Sequence, residues 1–110
     1  MSYEIHFTQT AVRDLNEAID YIDHVLLNPD ASDHLLANIE QALDRLSAFP
    51  EAHAIVDDPF FKTHKIRFVM IKNYLAFYVI DHDKQVVHIL RFLYGKRNWI
   101  SVLKHGFSID

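Results

Sequence analysis

The residues of this sequence best suited to chemistry are basic ones in its second half. Lys65 and Arg67 lie two positions apart in a segment that alternates like a strand, so both side chains are expected on one face. Arg97 follows Gly95 and Lys96, where the predicted sheet ends. Because arginine makes bidentate contacts with phosphate oxygens, Lys65, Arg67 and Arg97 together could converge on a phosphate.

The chemistry that such a cluster could perform is cleavage of RNA through its own 2′-hydroxyl. That reaction needs a base, charge stabilisation on the phosphorane and an acid for the leaving oxygen. Arginine suits the second role, and Lys65 could act as the base only if its pKa fell far below the usual value of about 10.4. The candidate acids are Tyr94 and three histidines, His64, His88 and His105.

Two other sets of residues bear on chemistry. Arg91 lies between Leu90 and Phe92 in an apolar strand, where an unpaired charge would be costly. It is therefore either paired with a helix carboxylate or turned toward an anion. The histidines show no metal-ligand spacing and the chain has no cysteine, so we predict neither a metal nor a cofactor. P-loop, G-x-G-x-x-G, G-x-S-x-G and H-E-x-x-H motifs are also missing.

The charge of the chain is divided unevenly along its length. The total is −4, but residues 1–61 carry two basic against twelve acidic residues, whereas residues 62–105 carry nine basic against two acidic ones. Either the second part presents a face to an anionic partner, which the acidic half could screen, or the predicted helices simply hold most of the acidic residues. A chain of 110 residues is predicted to form one domain, residues 1–110. No apolar run is long enough to span a membrane and no signal peptide is recognisable, which predicts a cytoplasmic protein.

Periodicity predicts the elements that must position these residues. Alternation over residues 3–7 indicates a strand, with Thr8 or Thr10 as N-cap of an amphipathic helix of about four turns that reaches Leu26. Asn28-Pro29 opens a second helix, which ends at Phe49-Pro50. Residues 51–63 show no clear period, and Asp57-Asp58-Pro59 predicts a turn. Strands follow over 66–71, 74–80 and 86–93, then a short helix after Asn98 with Gly106 as its C-cap and Phe107 folding back.

The predicted fold class is therefore α+β. An N-terminal strand is followed by an antiparallel two-helix hairpin, a three-stranded antiparallel meander and a short C-terminal helix. The hairpin is expected to cover one face of the sheet.

The ordered set of motifs resembles the RelE/ParE superfamily of bacterial type II toxin–antitoxin toxins over residues 3–103. The helical half contributes Tyr3-x-Ile5-x-Phe7-Thr8, Asp14-Leu15, Tyr21-Ile22, Asn28-Pro29 and Leu46-x-x-Phe49-Pro50. The sheet contributes Lys65-Ile66-Arg67, Asn73-Tyr74-x-x-Phe77-Tyr78 and Ile89-x-Arg91-x-Leu93-Tyr94-Gly95-Lys96-Arg97. The resemblance implies a RelE/ParE-like toxin fold and a cognate antitoxin that wraps and neutralises the protein.

The resemblance also implies a target, for which two classes are open. RelE-like toxins cut mRNA on the ribosome, and Lys65, Arg67 and Arg97 match their cleavage site. On that interpretation, which is our leading one, further nucleic-acid contacts come from Lys62, Arg91, Lys96 and His105. ParE-like toxins poison DNA gyrase without catalysis, and Arg91-x-Leu93-Tyr94 followed by Arg97 is similar to their strand ending.

Two positions depart from the ribonuclease pattern. Leu75 stands where those enzymes have an arginine, and Leu103 stands where they have a tyrosine that stacks on the substrate base. Loss of both would remove a phosphate clamp and a stacking platform. A third interpretation is therefore a degenerate toxin that is retained only for antitoxin binding.

Overall fold

The structure, a computed structural model, describes residues 2–106, with side chains as far as Lys104. Four strands and four helices follow one another as β1 (Glu4–Phe7), α1 (Gln9–Asp20), α2 (Pro29–Ala48), α3 (Pro59–Thr63), β2 (Arg67–Ile71), β3 (Tyr74–Asp81), β4 (Val86–Tyr94) and α4 (Trp99–Gly106). The predicted α+β class is confirmed, and α3 is an addition to the predicted order. The expected C-cap role of Gly106 and the fold-back of Phe107 lie outside the described residues.

The helical hairpin begins at Thr8, one of the two predicted N-caps. Its hydroxyl oxygen accepts a hydrogen bond from the Ala11 N–H at 3.1 Å and donates to the Leu90 carbonyl at 3.0 Å, which joins the helix start to the sheet. The sequence predicted one continuous helix as far as Leu26, but α1 ends earlier, at Asp20. It turns into one π-helical turn over Tyr21–Val25, after which Leu27 takes a left-handed φ of 51°.

Two helices of the described chain start in the same way, with a side-chain N-cap followed by proline. Asn28 caps α2 by accepting from the Ala31 N–H, with Pro29 in the first turn. Asp58 caps α3 in the same way by accepting from the Phe60 N–H at 3.0 Å, with Pro59 following. The sequence prediction treated Asp57-Asp58-Pro59 as a turn only. That was wrong, because a helix of five residues is too short to display a period.

The four strands form one mixed sheet in the order β1-β4-β3-β2. The last three strands make the predicted antiparallel meander, with Ile71 opposite Tyr74 and Tyr74 opposite Tyr94. A β-bulge between Phe77 and Tyr78 shifts the register of β3 against β4. The N-terminal strand adds in parallel to β4, so the first and last strands are neighbours.

Both faces of the sheet are covered. The hairpin-side core lies between α1, α2 and one face, and its buried members include Ala11, Leu46, Tyr78, Ile89 and Phe92. The α4-side core fills the other face, beneath α3 and α4, with Val56, Phe61, Ile66, Leu75, Phe77, Leu90, Leu93 and Leu103. The sequence predicted only the first layer. No helix within residues 2–106 is long and apolar enough to cross a membrane.

Candidate functional site

The first two residues of the predicted cluster do not share a strand. Lys65 lies in the turn between α3 and β2 with a left-handed φ of 54°, and β2 starts only at Arg67. The prediction of a common strand face is therefore wrong. Arg67 is half-buried, and its Nη1 donates to the His53 carbonyl at 2.6 Å and to the Glu51 carbonyl at 3.4 Å. Its guanidinium thus holds the connection after α2 against the sheet.

Arg97 lies at the other end of the sheet from Arg67. Arg67 pairs with Tyr78, whereas β4 ends at Tyr94, which pairs with Tyr74. On β3, Tyr78 and Tyr74 are four residues apart, which corresponds to about 13 Å along the strand. Arg67 and the end of β4 that precedes Arg97 thus lie at different levels of the sheet, and the convergence of Lys65, Arg67 and Arg97 on one phosphate stays a prediction.

Arg91 is paired with a helix carboxylate, the first of its two alternatives. Its Nε donates to Asp14 at 2.6 Å and its Nη2 to the other carboxylate oxygen at 2.9 Å. Asp14 also accepts from the Phe92 N–H at 3.1 Å. The two side chains are only 13% and 7% exposed, so this is a buried bidentate ion pair that ties α1 to β4.

The remaining predicted nucleic-acid contacts are dispersed. Lys62 makes an exposed ion pair with Asp57 at 2.9 Å, and Lys96 is exposed in the turn after β4. The His105 side chain lies outside the described residues. A nucleic-acid role for Lys62, Arg91, Lys96 and His105 stays a prediction.

The two departures from the ribonuclease pattern are core positions. Leu75 is 6% exposed and Leu103 is fully buried, both in the α4-side core. Neither side chain reaches solvent, and the apolar packing around them provides no partner for a charge. A side chain at position 75 or 103 could therefore not act as a phosphate clamp or as a platform for base stacking in this fold.

The structure places a large cleft at the end of the sheet where β4 finishes. It has a volume of about 690 Å³ and lies between the hairpin tip, the β2–β3 turn and the residues after β4. Its apolar floor includes Ala18, Ile22, Leu35 and Phe92. Glu17 lies on the helix wall, and Lys72 and Arg97 lie on the opposite wall, so the rim carries both signs of charge.

Three tyrosines line this cleft. Tyr74 stacks on Phe92 with ring centroids 4.8 Å apart and meets Tyr94 edge-on at 5.6 Å. Burial raises the pKa of Tyr74, and the neighbouring Tyr94 and Tyr21 phenols raise it further. Tyr94 is 42% and Tyr21 51% exposed, so both present aromatic surface to a partner. Sequence reasoning singled out only Tyr94 here, because the three residues come from separate elements with no shared spacing.

The turn after β4 directs Arg97 to the cleft. The Gly95 N–H donates to the Asn73 carbonyl at 2.7 Å, and a Cβ at Gly95 would lie 3.1 Å from that same oxygen. Glycine is needed here because the two backbones approach so closely. The Arg97 N–H then bonds the Tyr94 carbonyl at 3.0 Å, which closes the turn. Within residues 2–104, the Arg97 guanidinium has no ion pair or hydrogen bond.

The same part of the chain shows no metal-binding geometry. Among the side chains described, no three His, Asp or Glu residues are grouped as a metal site requires. What the cleft offers instead is aromatic surface, an apolar floor and unpaired cations. These groups suit binding to a macromolecule better than acid–base chemistry.

Comparison with solved structures finds the same fold in toxin–antitoxin proteins. The Mycobacterium tuberculosis RelBE2 toxin–antitoxin complex matches with a TM-score of 0.61 and 25% identity, covering 86% of this chain and 99% of that one. The chromosomal ParDE system of P. aeruginosa matches with a TM-score of 0.65 and 18% identity, over 84% and 96%. A mutant of the E. coli toxin RelE in the free state gives 0.60 and 14%, over 93% of each chain.

Comparison of sequences identifies the family of the chain but no individual curated relative. No curated protein matches the chain. The family described as the ParE toxin of the type II toxin-antitoxin system, parDE, matches over residues 5–99. That match spans the whole helical hairpin and all of the described sheet except Glu4, so the chain belongs to this family and is a toxin of a type II toxin–antitoxin system.

Proposed function

We propose that the protein inhibits growth as a binding poison of DNA gyrase and that a cognate antitoxin neutralises it. The position of Arg67 carries the choice of target: its guanidinium is engaged to the His53 carbonyl, and its level on β3 lies about 13 Å from the strand end that Arg97 follows. Cleavage of RNA needs cations that converge on one phosphorane. Dispersed cations beside an aromatic cleft support binding without catalysis.

The surface proposed to contact gyrase is the basic segment after β4 together with the wall of the cleft. Lys96 and Arg97 are exposed there, and Tyr94 presents its ring beside them. Membership of the ParE toxin family supports this target, since ParE-like toxins are gyrase poisons. Exposed aromatic and arginine side chains are also the residues that most often dominate binding energy.

Ribosome-dependent mRNA cleavage is the second candidate. It is supported by the match to the RelBE2 complex at 25% identity and by the residue types at 65, 67 and 97. On this hypothesis Lys65 and Arg67 bind the phosphate and Arg97 stabilises the transition state. The buried Leu75 and Leu103 weigh against it, because the two positions cannot supply the missing groups.

The test is induction of the toxin in bacteria, with supercoiling, DNA breaks and transcript ends measured in the same cells. We expect relaxed plasmid and DNA damage with uncleaved transcripts. Purified toxin should also inhibit supercoiling by purified gyrase. Cleaved transcripts with normal supercoiling would establish mRNA cleavage instead, and unimpaired growth would establish the degenerate interpretation.

A matched pair of variants sharpens this test. Arg97→Ala removes the exposed guanidinium at the cleft and should abolish growth inhibition. Arg13→Ala removes another exposed arginine, one that belongs to α1 and does not line the cleft, and should leave toxicity intact. If both variants remained toxic, the basic segment would not be the contact surface.

The antitoxin is proposed to cover the hairpin tip. Val25, Leu26 and Leu27 are 63%, 55% and 76% exposed there, next to the cleft. Apolar surface of this kind marks protein interaction sites. The RelBE2 and ParDE matches are themselves toxin–antitoxin systems, which supports a partner of this class. Co-expression of the adjacent open reading frame should restore growth and yield a stable complex.

A further inference from the structure

The sheet has two edge strands, β2 and β1, and they differ in how they are protected. The start of β2 is covered, because Ile55 forms a bridge to Arg67. Further along, β2 borders a groove of about 270 Å³ against α2, the α2–β2 groove, which is lined in part by the exposed cations Arg45 and Lys72. Charged residues of this kind discourage pairing of an edge with another strand. β1 contains neither lysine nor proline.

The backbone of β1 has a free side that extends from Ile5 to Phe7. Alternate residues of a strand point their N–H and C=O groups to opposite sides. The N–H groups of Glu4 and Thr8 donate, each at 3.0 Å, to carbonyls on the β4 side, so those of Ile5 and Phe7 point away from β4. Among residues 2–106, nothing makes a backbone hydrogen bond to Ile5 or Phe7 on that side.

Both ends of this free side are closed. At the start of β1, the Tyr3 N–H donates to the Ser47 carbonyl at 2.9 Å, and the Tyr3 carbonyl accepts from the Ser47 hydroxyl at 2.7 Å. These bonds place the end of α2 over the edge. At the other end, Thr8 is the N-cap of α1, and the chain leaves the sheet there. The free side therefore consists of residues 5–7, with His6 at its centre.

A second copy of the chain fits this free side in one register. An antiparallel pair centred on His6 sets Ile5 of each copy opposite Phe7 of the other and joins every free N–H to a free C=O. A pair centred on Ile5 would instead set Phe7 against Tyr3, whose backbone groups are already bonded to α2. A pair centred on Phe7 would set Ile5 against the first turn of α1. The free side is thus self-complementary, as a closed two-fold interface requires.

The side chains of β1 agree with this register on both faces of the sheet. Ile5 and Phe7 are half-buried against the hairpin-side core, and the pairing covers their remaining apolar surface by setting one against the other. On the opposite face, the His6 ring meets the His88 ring edge-on with centroids 5.9 Å apart. The His6 Nε2 lies 3.0 Å from the Glu4 carboxylate. Each copy therefore brings its own counter-charge to the point where the two His6 imidazoles meet.

We propose that the protein forms a two-fold dimer through residues 5–7 of β1, so that two four-stranded sheets join into one continuous sheet. The partner is a second copy of this chain. No residue of β1 lines the cleft or the α2–β2 groove, so the dimer leaves both open and presents one cleft on each copy. The inference concerns the assembly of the protein alone and does not depend on gyrase as its target.

The sharpest test is disulfide cross-linking, because the chain has no cysteine of its own. The Cα atoms of a non-hydrogen-bonded antiparallel pair are about 4.5 Å apart, a separation that a disulfide spans. His6→Cys in the purified full-length chain should therefore form a covalent dimer under mild oxidation. Glu4→Cys, on the same strand and face, is the matched control. Its two Cα atoms would lie at least about 13 Å apart in this register, so it should give little covalent dimer.

Sedimentation equilibrium tests the dimer without a covalent bond. We expect the unmodified full-length chain to show a concentration-dependent equilibrium between monomer and dimer. H6E should weaken the dimer about fivefold or more, because like charges then face each other across the pair. An equimolar mixture of H6E and H6K should restore it, since opposite charges meet only where position 6 faces position 6. H24E adds the same charge at the hairpin tip and should leave the equilibrium unchanged.

Several results would overturn the proposal. One is a chain that stays monomeric at every concentration while His6→Cys forms no disulfide. Another is equal cross-linking of His6→Cys and Glu4→Cys, which would indicate random collision. A dimer that H6E does not weaken would have its interface elsewhere. If a co-expressed antitoxin protected the Ile5 and Phe7 amides from hydrogen exchange while the chain alone stayed monomeric, the edge would belong to the antitoxin.

Discussion

The two faces of the sheet differ in what they bury. The α4-side core is made entirely of apolar residues, among them Leu75 and Leu103. The hairpin face buries charge, because Asp14 and Arg91 form a bidentate pair between α1 and β4. Both openings of the molecule, the cleft and the α2–β2 groove, also lie on the hairpin side. The α4 side thus closes its face of the sheet with apolar packing alone, whereas the hairpin side combines a buried ion pair with both openings.

The largest expected loss of stability comes from breaking the buried ion pair on the hairpin face. Asp14→Ala leaves the Arg91 guanidinium buried without its partner and the Phe92 N–H without its acceptor. We expect a loss of about 3–5 kcal/mol in the free energy of unfolding. Urea denaturation followed by circular dichroism measures it. Glu17→Ala, an exposed change on the same helix, should cost less than about 0.5 kcal/mol. If Asp14→Ala and Glu17→Ala lowered the free energy of unfolding equally, the expected difference between the buried ion pair and an exposed residue would be contradicted.

The next effect lies on the apolar face. Leu103→Ala opens a cavity beneath α4, where Leu103 is fully buried. We expect a loss of about 3 kcal/mol from the removed burial and the residual cavity. The fluorescence of Trp99, which packs on the same core, reports the transition. Ile100→Ala, at a residue 40% exposed on the same helix, is the control and should cost much less.

A smaller effect is expected at Tyr78, at the base of the hairpin-side core. Its buried hydroxyl donates to the Pro50 carbonyl at 2.8 Å. Tyr78→Phe leaves that acceptor unpaired, and we expect a loss of about 1–2 kcal/mol at neutral pH. The measurement is again urea denaturation. An unchanged unfolding midpoint would show that this bond contributes nothing net.

Tyr78 also makes stability depend on alkaline pH. Burial raises its pKa to about 12, against a smaller opposing effect of Arg67. In the unfolded chain the phenol ionises near about 10, so above that pH the unfolded state binds fewer protons than the native state. Stability should fall as the pH rises from 10 to 12. Between pH 9 and pH 11 the Tyr78→Phe variant should lose less stability than the unmodified protein.

The smallest effect on stability is expected at Arg97. It lies six residues after Arg91 but is exposed and has no ion pair in the described part of the chain. Arg97→Ala should change the free energy of unfolding by less than about 0.5 kcal/mol, since the turn bond uses its backbone N–H. Thermal denaturation tests this. A large loss would show that Arg97, like Arg91, is structural, and would undermine its use as a probe of toxicity.

Periodicity and capping residues predicted most of the fold. The helical stripe, the Thr8 and Asn28 caps and the three-stranded meander were all readable because they are local patterns. The position of β1 was not readable, since its pairing with β4 joins residues far apart in sequence. The second layer was missed because α3 is five residues long and its Asp58-Pro59 start resembles an ordinary turn.

The candidate site was harder to predict than the fold. Spacing in sequence suggested that Lys65 and Arg67 share a strand face, yet a left-handed turn places Lys65 before β2, and the convergence of both with Arg97 stays a prediction. A helix carboxylate was one of the two predicted partners of Arg91, because a buried charge requires a counter-charge, and Asp14 is that partner. The tyrosine-lined cleft and the α2–β2 groove arise from elements that only tertiary structure brings together.

The parallel pairing of β1 with β4 has a consequence for synthesis. Residues 4–7 find their sheet partner only when residues 86–89 have been made, so the sheet cannot be completed on a partial chain. Contacts of such long sequence separation form late in folding. The cleft is completed by Tyr94 and Arg97, which emerge later still. A nascent chain therefore lacks the complete cleft until residues 94–97 have been made.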